Sequence, residues 1–157
     1  MDINRKTAYE VLLDVEKNGA YSNITLNNLI EKNKPDNPPF VRELVYGVLR
    51  NQLLLDYNID SFLDKPKIKI GARILLRMGF YQLAMMDVKD HAAINETVAL
   101  AKSFMKGSEG FINAVLRNFQ RSGGSLKKLE NAQNEHDIIK QFSVNYSCNP
   151  SIVKLLL

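Results

Sequence analysis

The residues of this chain best suited to chemistry are polar side chains that recur along one helix-forming segment. At 100° per residue, the five apolar side chains of residues 111–119 cover one side of a helix. The opposite side carries four polar side chains with Arg117 near the middle, namely Asn113, Arg117, Gln120 and Arg121. Such a stripe can donate hydrogen bonds to phosphate oxygens and base edges, so it predicts RNA contacts. The alternative is the solvated face that any amphipathic surface helix has.

Three residues near the N-terminus are further candidates for RNA binding. Arg5 and Lys6 open the first predicted helix, where positive charge opposes the helix dipole, and this placement favours a functional reason for them. Tyr21 lies in the loop 19–22, where an aromatic ring can stack on an unpaired base. We therefore predict that Arg5, Lys6 and Tyr21 contact RNA, with packing or solvation as the alternative.

Two other groups of basic residues are candidates for RNA binding, with ordinary solvated surface charge as the alternative. The first combines loop lysines with two arginines one helical turn apart, one of which can pair with a carboxylate such as Glu96. The second is a pair of lysines with the same spacing on the next helix. The members of the two groups are Lys65, Lys67, Lys69, Arg73 and Arg77, and then Lys102 and Lys106. Asn95, at the start of that next helix, is predicted to form a buried hydrogen bond.

No set of residues in the sequence predicts catalysis or a metal site. A glycine-rich loop after a strand, the usual cradle for a nucleotide or S-adenosylmethionine, is missing from the pattern. Cys148 is a lone thiol without an evident base, which excludes a disulfide framework and a cysteine zinc site. His91 and His136 are far apart in sequence and are predicted to be structural or solvated. The sequence therefore predicts no catalytic residue and no metal-binding residue.

The charge distribution adds to the case for nucleic acid. The chain of 157 residues has a formal net charge of +4, but residues 65–128 hold 12 Lys or Arg against 4 Asp or Glu. A basic region of this kind is a plausible electrostatic footprint for RNA, although a lysine-rich solvated surface has the same composition. The N-terminus lacks an apolar signal core, and no apolar run approaches the ~20 residues that span a bilayer. We therefore expect a cytoplasmic protein without a membrane partner.

Helical spacing of apolar residues runs through the whole chain, and no two-residue alternation indicates a strand. The third predicted helix begins at Pro38 after the cap residue Asn37 and could run to about Leu63. Gly47 and Gly79 fall inside predicted helices, where we expect them to allow close helix–helix approach. A weaker helix is predicted over 126–142, and a last one begins at Pro150 after Asn149.

Several motifs together resemble a known family. They are RELVYGVLR at 42–50, RILLRMGFYQL at 73–83, INETV at 94–98 and GFINAVLR at 110–117. In this order and spacing they resemble the NusB-like helical domain, over roughly residues 5–130. The resemblance implies an all-α fold, a NusB-like bundle of about seven helices in two small helical halves. It also implies RNA binding, since related domains carry basic residues at the position of Arg5 and Lys6.

The tail decides between the two settings in which this family occurs, alone as a transcription antitermination factor or in front of a methyltransferase domain. Residues 142–150 resemble the tyrosine-serine-x-proline linker of the methyltransferase branch, although Cys148 and Asn149 depart from it. The resemblance implies domains at 1–130 and, as linker and start of a methyltransferase region, at 131–157. The function implied is the RNA-binding part of a 16S ribosomal RNA 5-methylcytosine methyltransferase.

The implied partners are ribosomal RNA and the parent's own methyltransferase domain, and S-adenosylmethionine is expected only in the full-length parent. The cysteine nucleophile in a Pro-Cys context that such enzymes use is missing from this sequence. Two alternatives stay open. One is a stand-alone antitermination factor, and the other is a helical module that only docks on its own methyltransferase domain.

Overall fold

All regular secondary structure that the computed structural model describes, over residues 1–130 and 132–156, is helical. Within these ranges there are nine helices, and seven of them lie before residue 130, as the predicted bundle requires. In chain order they are α1 Ile3–Asn18, α2 Ser22–Asn33, α3 Pro38–Arg50, α4 Gln52–Asp60, α5 Ile70–Met85, α6 Asp90–Phe104, α7 Glu109–Arg121, α8 Glu135–Tyr146 and α9 Pro150–Leu156.

The prediction of one long third helix to about Leu63 is wrong, because the helix breaks at Asn51. Asn37 caps α3 by accepting a hydrogen bond from the Phe40 amide, and Pro38 opens the helix as predicted. At the other end, Asn51 leaves helical geometry and its Nδ2 donates to the Gly47 carbonyl at 2.8 Å. The Asn51 backbone amide donates to the same carbonyl at 3.1 Å, so both groups of Asn51 close the last turn of α3. Both α3 and α4 then pack on α5.

Helix α5 lies at the centre of the bundle and contacts α1, α3, α4, α6 and α7. A Cβ on Gly47 would overlap the Tyr81 ring, and a Cβ on Gly79 would overlap the Leu116 side chain. The prediction that these two glycines allow close helix–helix approach is confirmed. Helices α1 to α3 form one half of the bundle and α4 to α7 the other, with contacts between α1 and α5 joining them across a shared core.

The C-terminal part of the chain packs against the bundle through α4. Helix α8 contacts α4, and α9 contacts α8. The predicted helix over 126–142 is wrong at its start, because residues 125–130 are non-helical and α8 begins only at Glu135. The last helix does begin at Pro150, where Asn149 Oδ1 accepts from the Ser151 amide. The division of the chain at residue 130 stays a prediction.

Among the described helices, none is both long and apolar enough to cross a membrane.

Candidate nucleic-acid interface

The centre of the predicted RNA-binding stripe is an arginine with only weak neutral partners. Helix α7 buries Ile112, Val115, Leu116 and Phe119 against the bundle, which leaves Arg117 on its half-exposed side. The Arg117 guanidinium donates to Gln120 Oε1 and to Asn95 Oδ1, each at 3.4 Å. These distances lie at the outer limit for a hydrogen bond. Within the described ranges Arg117 has no carboxylate within ion-pair distance.

The polar cluster around Arg117 extends from α7 across to α6. Gln120 Nε2 donates to Asp90 Oδ2 at 3.2 Å, so the cluster comprises Asn95, Arg117, Gln120 and Asp90. Asn95 is exposed, and the prediction of a buried hydrogen bond for it is wrong. Helix α6 turns this residue toward α7 and not toward the core. Sequence spacing could not show that, because the neighbour of an α6 face depends on how α7 packs.

The other two stripe residues flank this cluster. Asn113 is half-buried one turn before Arg117 and so lies on the same face of α7. Arg121 is exposed and its guanidinium donates to Asn118 Oδ1 at 3.3 Å, a second arginine bonded to a neutral side chain. The face therefore holds two arginines and several side-chain amide groups joined by hydrogen bonds of 3.2 to 3.4 Å.

Arg5 occupies a buried position that its sequence context does not reveal. It is only 7 % exposed, its Nε donates to Gln82 Oε1 at 2.6 Å, and its guanidinium pairs with the Asp2 carboxylate. The guanidinium carbon also lies 4.9 Å from the centre of the Phe40 ring, a cation–π distance. Gln82 in turn donates to the Met78 carbonyl at 3.0 Å. Arg5 thus joins α1 to α3 and α5, which leaves little of it for RNA.

Tyr21 and the start of α1 lie at opposite ends of that helix. Tyr21 is 77 % exposed in the loop that follows α1, while Lys6 is half-buried in its first turn. A helix of 16 residues is about 24 Å long. The structure therefore does not bring Lys6 and Tyr21 together, and each would contact a different part of an RNA. Their RNA contacts stay predictions.

The arginines of α5 are neutralised by acidic residues of α4. Arg77 binds Asp56 through two hydrogen bonds of 2.8 and 2.9 Å, and Arg73 binds Asp60 at 2.6 Å. The prediction that one of these arginines pairs with a carboxylate is confirmed, but the example Glu96 is wrong, because α4 and not α6 faces this side of α5. The basic segment 65–128 therefore presents less free positive charge than its composition indicates.

The remaining candidates for chemistry lie apart from one another. Cys148 is half-buried after α8, with its Sγ 3.5 Å from the Tyr146 carbonyl oxygen. His91 and His136 are exposed on α6 and α8. In the part of the chain that the structure describes, no group of three or more His, Cys, Asp or Glu could hold a metal ion.

Comparison with known proteins places these features in a family. The family model described as the NusB family matches residues 2–121. The chain is 42 % identical over 124 residues to a probable ribosomal RNA small subunit methyltransferase B of Bacillus subtilis (strain 168), covering 76 % of this chain and 28 % of that protein. A probable methyltransferase of the same name from Synechocystis sp. is 36 % identical over 125 residues, covering 75 % and 28 %.

A ribosomal RNA small subunit methyltransferase B of Vibrio vulnificus is 34 % identical over 135 residues, which cover 83 % of this chain and 31 % of that protein. The chain thus spans less than a third of the length of the relatives that it matches. The matched region contains α1 to α7 and with them the Arg117 cluster. The chain belongs to the NusB family.

Proposed function

We propose that this chain is the RNA-binding N-terminal domain of a 16S ribosomal RNA 5-methylcytosine methyltransferase, which helps to recognise the RNA and present it to the catalytic domain. The names of the three relatives support the substrate and the reaction type. The observation that carries the proposal is that Arg117 is half-exposed and forms no ion pair within the described ranges.

The Arg117 cluster is suited to exchange its internal bonds for bonds to RNA. Because the two bonds of Arg117 are long and go to neutral amide oxygens, losing them costs less than a phosphate contact gains. Asn113, Gln120 and Asn95 then offer amide donors and acceptors for the edges of unpaired bases. Asp90 repels phosphate and limits the extent of the surface on the α6 side.

In this proposal the chain does not perform the methyl transfer. S-adenosylmethionine does not fit the residues described here, because they are helical and contain no glycine-rich loop after a strand. The cofactor and the catalytic cysteines would belong to the part of the full-length protein outside this chain. We place that protein in the cytoplasm, where its ribosomal RNA substrate is made.

A second candidate role is docking on the methyltransferase domain, and the C-terminal helices favour it. Five large apolar side chains are exposed there, namely Ile138, Phe142, Tyr146, Ile152 and Leu155. A surface of this kind commonly marks a protein–protein contact. The antitermination role has no comparable support, because the three relatives are named as methyltransferases.

The test is a salt titration of binding to a fluorescent fragment of small-subunit ribosomal RNA, followed by anisotropy. We expect the logarithm of the affinity to fall linearly with the logarithm of salt concentration. Arg117→Ala should weaken binding several-fold and reduce the slope by about one. The matched control is Arg42→Ala, because Arg42 is also an exposed arginine bonded to a neutral asparagine, Asn27, at 2.9 Å, but on α3.

Two results would overturn the proposal. One is an absence of RNA binding at low salt, which would leave the docking role. The other is an equal effect of Arg117→Ala and Arg42→Ala, which would show that only general positive charge matters.

A further inference from the structure

A basic groove lies between the segment before α5, the end of α6 and the start of α7. Its volume is about 730 Å³, and three lysines and two phenylalanines that are distant in sequence line it. These five residues, called the lysine groove below, are Lys67, Lys69, Lys106, Phe104 and Phe111. No carboxylate is found among the lining residues, so the local charge is positive.

The neighbouring helices hold the walls of the groove in place. Arg73 donates to the Pro66 carbonyl and pairs with Asp60, which fixes the loop that carries Lys67. On the other wall Phe104 stacks on Tyr9, with ring centres 5.1 Å apart. A Cβ on Gly71 would lie 2.8 Å from the Tyr9 hydroxyl, so a glycine is needed for α5 to begin this close to α1.

The lining residues combine the two features that bind single-stranded nucleic acid. Phe104 and Phe111 remain 39 % and 41 % exposed, which leaves them open to stacking by a base. All three lysines are exposed and within the described residues form no ion pair, so they can neutralise phosphate groups.

Two helix termini add to this preference for anions. Lys69 and Ser108 are the N-cap residues of α5 and α7, both line the groove, and neither caps its helix through the side chain. The Ser108 hydroxyl instead donates to the Met105 carbonyl at 2.5 Å. The positive ends of two helix dipoles thus lie at the groove. Glu109 follows at its rim, where its carboxylate is bonded to the Gly107 amide at 2.9 Å.

We propose that the lysine groove is a second RNA site, which binds a single-stranded segment through its phosphates and stacks one base on Phe104 or Phe111. This inference rests on the proposed function and extends it, since the groove and the Arg117 cluster would contact different parts of one RNA. Helix α7 contributes to both sites, since Phe111 of the groove lies in its first turn and Arg117 lies in its second half.

The experiment measures binding of the 157-residue chain to a fluorescein-labelled 12-nucleotide single-stranded oligouridylate and to a duplex RNA of equal length. The triple variant K67Q/K69Q/K106Q should bind the single strand at least tenfold more weakly, with a salt slope lower by about two to three. Lys32→Gln, an exposed lysine on α2, is the charge control and should stay within about twofold.

The stacking contribution is tested at Phe111, because Phe104 also packs on Tyr9 and its replacement would disturb the fold. Phe111→Ala should weaken single-strand binding about fivefold or more, while Phe111→Tyr keeps it. Phe142→Ala is the matched control, since Phe142 on α8 is equally exposed at 41 %. Circular dichroism of each variant checks that the helices are intact.

The outcomes separate this inference from the proposed function. If the triple variant and Phe111→Ala bind the single strand as the unmodified chain does, while Arg117→Ala still weakens binding of the ribosomal fragment, the lysine groove is not an RNA site and the proposed function holds. Equal affinity for single strand and duplex overturns base stacking. Tighter binding of a poly-glutamate peptide than of RNA overturns the proposal in favour of an acidic protein partner.

Discussion

The seven-helix bundle and the C-terminal helices of this chain are held together by different forces. In the bundle, side chains from all seven helices, α1 to α7, form one continuous apolar core around α5. In the described residues after 125, the buried positions are Ser143 and Val153 alone, and large apolar side chains face solvent. The bundle thus has a continuous apolar core, whereas α8 and α9 leave several large apolar side chains exposed.

Hydrogen bonds from two asparagine side chains contribute to the attachment of this tail. Asn58 of α4 exchanges two hydrogen bonds with the backbone of Lys127, at 2.9 and 2.7 Å. Asn145 of α8 does the same with Leu129, at 2.9 and 2.5 Å. The segment between α7 and α8 is therefore clamped by two asparagine side chains, one from each region. Single substitutions in the bundle and in the tail are therefore expected to change stability in different ways.

The largest effect is expected where the core is tightest. In Gly47→Ala the added Cβ would overlap the Tyr81 ring, which cannot move without separating α3 from α5, so we expect a loss of about 3 kcal/mol in the free energy of unfolding. Urea denaturation followed by circular dichroism measures it. Gly110→Ala is the control, because no atom lies within 4 Å of its added Cβ and alanine is the better helix former. A similar result for both variants would contradict the close approach.

The next largest effect is expected at Arg5. Arg5→Ala leaves the Oε1 of the buried Gln82 without its donor and removes the ion pair of the partly exposed Asp2, and we expect a loss of about 2 kcal/mol in the free energy of unfolding. At temperatures where the variant is fully folded, its RNA affinity should fall no more than that of Arg42→Ala. A much larger fall in affinity with unchanged stability would support the prediction that Arg5 contacts RNA.

A smaller and local effect is expected in the tail. Asn145→Ala removes both bonds to Leu129, worth about 2 kcal/mol together, and should release α8 without unfolding the bundle. Limited proteolysis should then cut near residue 130 faster, while the urea midpoint of the bundle stays the same. Gln133→Ala, an exposed position between the same elements, should leave the cleavage rate unchanged. A shift of the bundle midpoint would mean that the two regions unfold together.

The smallest effect concerns two tyrosines of the bundle. Burial raises the pKa of Tyr9 above its usual value of 10, and burial together with Glu43 does the same for the pKa of Tyr81. Because the folded state holds these protons more tightly, their contribution to stability is complete below pH 10 and decreases as the pH rises through the folded-state pKa. Absorbance at 295 nm during a pH titration should lose one of its late-titrating components in Tyr81→Phe, and an unchanged curve would contradict the assignment.

The sequence predicted most of the helices and the side of α7 that faces solvent, because apolar periodicity records which face is buried. It did not predict the break at Asn51, since an asparagine bonded to a carbonyl four residues earlier looks like any polar position in a helix. It also did not reveal that Arg5 is buried, because its partner Gln82 is 77 residues away. In the sequence, Lys67 and Lys106 belong to two separate groups of basic residues. Only the packing of α5, α6 and α7 shows that they line the same groove.

The paired asparagine bonds have a consequence for hydrogen–deuterium exchange. The amides of Lys127 and Leu129 lie outside every helix, yet both are donors to side-chain oxygens and should exchange slowly. Their protection reports the free energy of opening for the tail alone, separately from that of the bundle. In a longer protein, the exchange rates of these two amides would show whether the clamp between the bundle and α8 is closed.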